Sequence, residues 1–515
     1  MAELGFWNVA QKHPDRLALV TPDEEQLTFG QLLSSCNQLV HGMRAMGLKK
    51  GDTIATVLDN EAPVLEIFLA AAQAGIYVVP INYHLVAPEI AYIAEDSEAK
   101  IFICNENFAD TCHEALETFG FPKEGRFTTG SDPRFKALST LKDGQPDTLP
   151  DDRAPGTVMN YTSGTTGRPK GVRRPIPSID PDTMGEQLGM FLMLFGMQAI
   201  DGVHLCGSPL YHTAVLNFST YSLHMGHTVV IMGKWQPEDH LRLSETYKVT
   251  HSHMVPTQFH RLLGLPDAIK TKYDLSSYRH MIHSAAPCPV ETKKKMLDWW
   301  GPCVYEYYAA SEGGGTLVTP EQWLKKPGSV GTPWPISQIR VLDDEGEPCK
   351  PGDIGTVFIR MGDMTFEYHG DKDKTKKAWS DGFFTVGDAG YLDEDGFLFL
   401  CDRKADMIIS GGVNIYPAEI EAVLFQFPQV ADVAVFGVPH EEWGEQVKAV
   451  IEMDANDAQN QELADTILSF CQKNLAKYKC PKSVDFIENM PRDPNGKLMK
   501  RKLRDPYWEG RERMI

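Results

Sequence analysis

From Leu27 onward the chain alternates between two hydrophobic periods. LTFGQLLSSCNQLVHGMRAMGLKKGDTIATVL keeps apolar residues at helical spacing as far as Gly47, then breaks at a Gly-Asp turn into a short β-branched run. The same punctuation recurs in PVLEIFLAAAQAGIYVVPIN, where an apolar helix should stop at Gly75 and a buried strand end at Pro80, and again in EIAYIAEDSEAKIFICN. Alternation at this spacing predicts a mainly parallel sheet covered by helices. Around Ile339 to Arg360 the texture changes to short strands with turn chemistry, IRVLDDEGEPCKPGDIGTVFIR, which reads as a β-rich subdomain. After Asp402 a fresh series begins: PAEIEAVLFQFPQ reads as a helix, VADVAVFGVP as a strand and ELADTILSFCQKNLAK as an amphipathic helix. The expected fold class is α/β, multidomain. A large N-terminal α/β body, residues 1–402, includes the β-rich part, and a small α+β domain occupies 403–515.

Composition narrows the function. With 42% hydrophobic and 23% charged residues the 515-residue chain is ordinary for a globular protein. A net charge of −20 opposes a phosphate-backbone interface, so nucleic acid is excluded as a partner, while small anions such as ATP or coenzyme A can still be held in a local pocket. Ten scattered cysteines without a CxxC pair or zinc spacing, and an N-terminus lacking the pattern of a signal peptide, point to a reduced, cytoplasmic protein. The apolar stretch Val64 to Ile81 is interrupted by Glu66, Gln73 and Pro80, and Leu188 to Ile200 is too short to span a bilayer, so no transmembrane segment is expected. The Met- and Phe-rich second stretch reads as a buried core helix rather than a pocket lining. Homodimerisation is left open.

The most informative segment is YTSGTTGRPKG, Tyr161 to Gly171, which follows the hydrophobic VMN. Its glycines, Gly164 and Gly167 among them, let backbone approach phosphate oxygens, Thr162, Ser163, Thr165 and Thr166 can donate hydrogen bonds, and Lys170 supplies a compact positive charge. It is not a Walker loop, whose Lys follows Gly and precedes Ser or Thr; here Lys170 lies between Pro169 and Gly171.

This segment resembles the signature loop of the adenylate-forming superfamily, which includes AMP-dependent acyl- and aryl-CoA ligases, amino-acid adenylation domains and firefly-type luciferases. Further segments resemble that family's pattern in its order, from about Leu27 to Arg504. SPLYHT, Ser208 to Thr213, maps the residue bordering the acyl site onto His212. HSAAP, His283 to Pro287, resembles the turn against adenine, so Ser284, Ala285, Ala286 and Pro287 are expected there. YYAASEGGGT, Tyr307 to Thr316, resembles the motif whose aromatic ring stacks on adenine and whose carboxylate holds magnesium, implying Tyr308 and Glu312; Ala309 replaces the usual Gly, and Ser311 replaces the usual Thr while keeping its hydroxyl for phosphate. FFTVGD implies Asp388 as ribose ligand, and CDRKADMIISGGVNIYP implies Arg403 beside it, with the hinge at Lys404 and Ala405, where Ala replaces the usual charged residue. PRDPNGKLMKRKLR places the catalytic lysine at Lys497, and the Gly411-Gly412 loop is implied to face the pantetheine arm of coenzyme A.

The resemblance implies ATP-dependent conversion of a carboxylic acid to acyl-AMP, then thioester formation with coenzyme A, with Mg2+ as the metal. The run Gly313-Gly314-Gly315 is read either as open volume beside the acyl group, favouring a medium- or long-chain, bulky or ring-bearing acid, or as backbone flexibility. An aryl-acid ligase, a luciferase-like enzyme and a nonenzymatic ATP-binding scaffold are the rival readings. The segment around Tyr211-His212-Thr213 lacks the Asp of amino-acid adenylation domains, and the end at Ile515 leaves no carrier domain.

Overall fold

The computed structural model describes residues 4–162, 169–403, 406–410, 413–441, 443–453, 460–492 and 498–509. The chain divides into two compact units: residues 1–253, 266–281 and 364–377 form one, and residues 254–265, 282–363 and 378–515 the other.

The first unit is built from helix–strand alternation. The helix Phe29–Ala45 starts where Thr28 and Gln31 cap each other: the Gln31 amide donates to Thr28 Oγ1 at 3.2 Å and the Thr28 amide to Gln31 Oε1 at 2.8 Å. The helix Ala62–Ala74 ends at Gly75, whose φ of 71° only glycine adopts freely, and a Cβ there would lie 2.9 Å from Lys50 Cγ. The residues that interrupt this apolar helix are buried and paired: Lys142 meets Glu66 at 3.3 Å, and Gln73 donates to Asn37 at 2.9 Å. A six-stranded parallel sheet results, in the order Lys136–Ala137, Arg126–Thr128, Ala99–Cys104, Thr53–Val57, Tyr77–Pro80, Thr157–Val158. Elsewhere in the unit Val203–Cys206 lies parallel to both Thr228–Ile231 and the strand beginning at His251, and Leu17–Val20 joins Thr228–Ile231. A separate antiparallel ladder pairs Asn160–Thr162 with Lys170–Arg173, with Glu367–Tyr368 on its edge.

The Met- and Phe-rich run departs from the buried core helix expected of it. Its helix, Pro181–Met193, buries Leu192 and sets Phe191 against Phe218 with centroids 6.0 Å apart, but Met190 and Met193 are exposed. The helix packs along one side, so an apolar sequence has been placed on a partly solvated surface. Among the described residues no helix is long and apolar enough to cross a membrane.

The second unit is mainly antiparallel. Ser337–Leu342 pairs with Gly355–Met361 without a break, and this hairpin joins Trp379–Ser380, Phe383–Phe384, Asp388–Leu392 and Leu398–Arg403 in one sheet, the β-rich part expected from the turn residues. Towards the C-terminus Val430–His440 and Gly444–Met453 form a long antiparallel ladder, with Ser483–Phe486 added in parallel and helices Pro417–Leu424 and Gln461–Asn474 alongside. Alternate residues serve two cores: Val433 and Val435 pack with Ile420, Leu424 and Ile467, whereas Ala434, Phe436 and Val438 pack with Val450 and Met490.

Candidate functional site

In the first unit the segments flanking the loop expected to bind phosphate pair as a hairpin. Lys170 pairs with Thr162 and Gly171 with Tyr161, so the Lys170 backbone is set where the loop returns to the ladder. Ser163, Gly164, Thr165, Thr166 and Gly167 lie outside the described residues, and of Thr162 only the backbone is described. His212 stands at the N-cap of the helix Thr213–His224, half-buried, its ring 4.1 Å from that of Tyr211. The turn before it is held by buried Asn60, which donates to Ser208 O at 3.0 Å and accepts from the Leu210 amide at 2.8 Å. Asn60 carries no motif and was missed from sequence; only the fold brings it 150 positions along the chain to Leu210.

In the second unit the strand Val304–Ala309 leads into the turn carrying Ser311 and Glu312 and returns as Gly315–Val318, with Tyr308 opposite Thr316. The Tyr308 hydroxyl donates to Asp388 Oδ2 at 2.5 Å, and Asp388 sits directly across the ladder from Arg403, whose backbone alone is described. Of the residues expected at adenine and ribose, Tyr308, Asp388 and the Arg403 backbone are therefore brought together. Ser284 to Pro287 follow the strand ending at His283; Ser284 is buried and Ala285 holds a left-handed φ of 72°, a conformation a non-glycine residue keeps only when its surroundings impose it.

Beneath this turn lies an ion pair with no sequence signature. Lys293 Nζ, fully buried over the Trp323 ring, reaches Glu306 Oε2 at 2.7 Å, and His283 Nε2 is 3.4 Å from the same oxygen. Burial pushes the Glu306 carboxyl up from its ordinary value, and Lys293 opposes the shift. Glu306 is two residues from Tyr308 and His283 adjoins Ser284, so the pair ties both segments expected at the nucleotide to one buried charge.

The glycine run is explained largely by packing. A Cβ on Gly314 would lie 2.6 Å from Ile359 Cγ2, and one on Gly315 would lie 2.1 Å from Tyr308 O. The open volume expected at these two positions is absent on their Cβ sides, because the Ile359, Ser337 and Met361 side chains fill it at Gly314 and the hairpin backbone fills it at Gly315. At Gly313 a Cβ would meet only Met361 Sδ, at 4.0 Å.

Glu312 is buried, and among the described residues no group of three or more His, Cys, Asp or Glu side chains is placed to hold a metal. One carboxylate fits Mg2+ nonetheless, since that ion keeps several waters and is commonly bound by one or two carboxylates together with substrate phosphates. Lys404, Ala405, Gly411, Gly412 and Lys497 lie outside the described residues. The segment bearing Lys497 has described ends: Arg492 bridges to Leu498, and its Nη2 donates to Asp432 Oδ1 at 2.6 Å.

The sequence model of the family described as AMP-binding enzyme matches residues 6–369, and that of the AMP-binding enzyme C-terminal domain matches 419–497. The chain is 32% identical to the long-chain-fatty-acid–CoA ligase FadD13 of Mycobacterium tuberculosis, over 97% of this chain and 98% of that one. It is 33% identical to the 2-succinylbenzoate–CoA ligase of Bacillus licheniformis, over 96% and 98%. The structure resembles that of the o-succinylbenzoate CoA synthetase of Bacillus subtilis in complex with its acyl-adenylate intermediate, with a TM-score of 0.81, 26% identity and 97% of each chain covered.

Proposed function

The chain belongs to the AMP-binding enzyme family, and from that premise we propose that it is an AMP-forming acid–CoA ligase acting on a medium- or long-chain, bulky or ring-bearing carboxylic acid. A carboxylate is a poor acyl donor because its leaving group would be oxide. In the first step a carboxylate oxygen attacks the α-phosphorus of ATP, the bond to the bridging oxygen breaks and pyrophosphate leaves. In the second, the coenzyme A sulfur attacks the acyl carbon, its proton passes to solvent and AMP departs.

The observation that carries this reading is the Tyr308–Asp388 hydrogen bond, opposite Arg403 in the ladder, between residues 80 positions apart. A short carboxylate fixed in this way can accept both ribose hydroxyls, and the ring it anchors offers adenine a face. The hairpin amides and Lys170 are assigned to the β- and γ-phosphates, and Ser311 to a further phosphate contact. Mg2+ on Glu312 would supply charge neutralisation there. Lys497 is assigned to the carboxylate and α-phosphate, where preorganised charge lowers the barrier. Residues 403–515 are read as a mobile domain that turns about Lys404 and Ala405 and exchanges Lys497 for the Gly411-Gly412 loop before thioester formation. His212 and the open side of Gly313 are assigned to the acyl group. Ten free thiols support a cytoplasmic setting.

The test is ATP–pyrophosphate exchange over a panel of fatty, aryl and ring-bearing acids, followed by coenzyme A-dependent release of AMP. Exchange that depends on an added acid is expected; AMP release without acid dependence, or no exchange with any of them, sinks the reading.

A further inference from the structure

We propose that the helix Ala87–Asp96 is a clamp that grips both ends of the phosphate loop, with Tyr92 and Asp96 as positioning residues for ATP; this rests on the reading of that loop given above. Tyr92 and Asp96 are four positions apart and so share one face of the helix. The Tyr161 hydroxyl donates to Asp96 Oδ2 at 2.7 Å, and the Tyr92 hydroxyl donates to Pro169 O at 3.0 Å. Tyr161 immediately precedes Thr162, where the loop leaves the ladder, and Pro169 immediately precedes Lys170, where it returns. One helical face therefore holds the entry and the exit.

The chemistry at each end fits fixation. Proline has no N–H, so its carbonyl is the one backbone group by which Pro169 can be tied. Burial and the Asp96 carboxylate raise the Tyr161 phenol, which stays protonated and remains a donor. Gly171 lets the hairpin press on this ring: a Cβ there would stand 3.1 Å from the Tyr161 ring. The helix is itself anchored, burying Ile90, Ala91, Ile93 and Ala94 in the core that contains Phe102 and Met159, with Tyr92 and Tyr161 packed on its margin. Binding costs less ordering when the backbone flanking the contacting groups is fixed in advance, which is what the two hydrogen bonds to Tyr161 and Pro169 do.

The experiment uses the full chain with Tyr92→Phe, Asp96→Ala and Asp96→Asn, each read by acid-dependent ATP–pyrophosphate exchange and by amide hydrogen exchange. Tyr92→Phe and Asp96→Ala should each raise the KM for ATP about 3- to 10-fold, the range a single hydrogen bond supports, with the KM for the acid and the melting temperature little changed. Asp96→Asn keeps an acceptor oxygen and should recover most of the loss. Amides of the hairpin on either side of the loop should exchange faster in the same variants. An unchanged KM for ATP with unchanged hairpin exchange overturns the clamp, as does an equal rise in both KM values with a lower melting temperature, which marks a merely structural role. Should the wild-type chain show no acid-dependent exchange, the ligase reading fails separately, and the hairpin amides alone decide whether the clamp exists.

Discussion

Mild acid should strongly destabilise the first unit, because it carries a set of imidazoles held neutral by burial. His204 and His251 lie with ring centroids 4.9 Å apart, and His227 is 5.1 Å from His251. His251 is hydrogen-bonded through both nitrogens, to Ser222 and Thr250 hydroxyls, each at 2.9 Å. His224 Nδ1 accepts the Phe6 amide at 3.0 Å and His240 Nδ1 accepts the Trp235 indole N–H at 3.4 Å, so neither nitrogen can carry a proton without losing its donor. Burial lowers His204, His224 and His240 to about 3 and His253 to about 4. In the unfolded chain each returns to about 6.5. The unfolded state therefore binds more protons between these values, and stability present above the unfolded value is lost as pH falls through it, levelling off near the folded values. Between about pH 7 and 5.5 each fully buried imidazole should cost about 1 kcal/mol. His204, His224, His240 and His253 together reach about 4 kcal/mol, a large part of the net stability of a typical protein, about 5–15 kcal/mol. Urea unfolding followed by tryptophan fluorescence at the two pH values measures the change, and His204→Leu should remove about one proton from its slope. A free energy that moves by less than about 1 kcal/mol across this window, or histidine resonances titrating near 6.5, would refute the reasoning.

Four further outcomes are expected. Tyr308→Phe removes a donor to the Asp388 carboxylate, and since such bonds contribute about 1.5–3 kcal/mol, ATP affinity by calorimetry should fall at least tenfold, roughly; unchanged affinity counts against the adenine–ribose assignment. Lys293→Met strands Glu306 and should destabilise the chain by about 3–5 kcal/mol, most of it recovered in the double variant Lys293→Met/Glu306→Leu, as chemical denaturation would reveal. Lys497→Ala should slow acyl-adenylate formation by about 10²–10³, measured in a single turnover with radiolabelled ATP; full retention removes Lys497 from the first step. Gly412→Leu should impair transfer of a preformed adenylate to coenzyme A more than adenylation, and equal losses in the two half-reactions speak against the pantetheine assignment.

Local chemistry was legible in the chain because it is written at short range. The stop at Gly75, the β-rich turn sequences and the strand beginning at Val430 all follow from periodicity and turn residues a few positions apart. The resemblance carried by the ordered motifs named Tyr308 and Asp388, and folding places these two side chains 2.5 Å apart. The roles of Gly314 and Gly315 were not legible, since either open space or close packing calls for glycine and only Ile359 and the Tyr308 carbonyl decide between them.

By itself the sequence determined which segments become helix or strand and which family the motifs resemble, all properties of neighbouring residues or of motif order. Only the tertiary structure decided that Asn60 supports the turn before His212, that Lys293 neutralises Glu306 beneath Ser284 and Tyr308, and that Tyr92 and Asp96 face the two ends of one loop. These pairings join residues from 13 to 148 positions apart. Hydrogen bonds and ion pairs act over a few ångströms of space, and separation along the chain carries no record of which distant groups folding will bring within that reach.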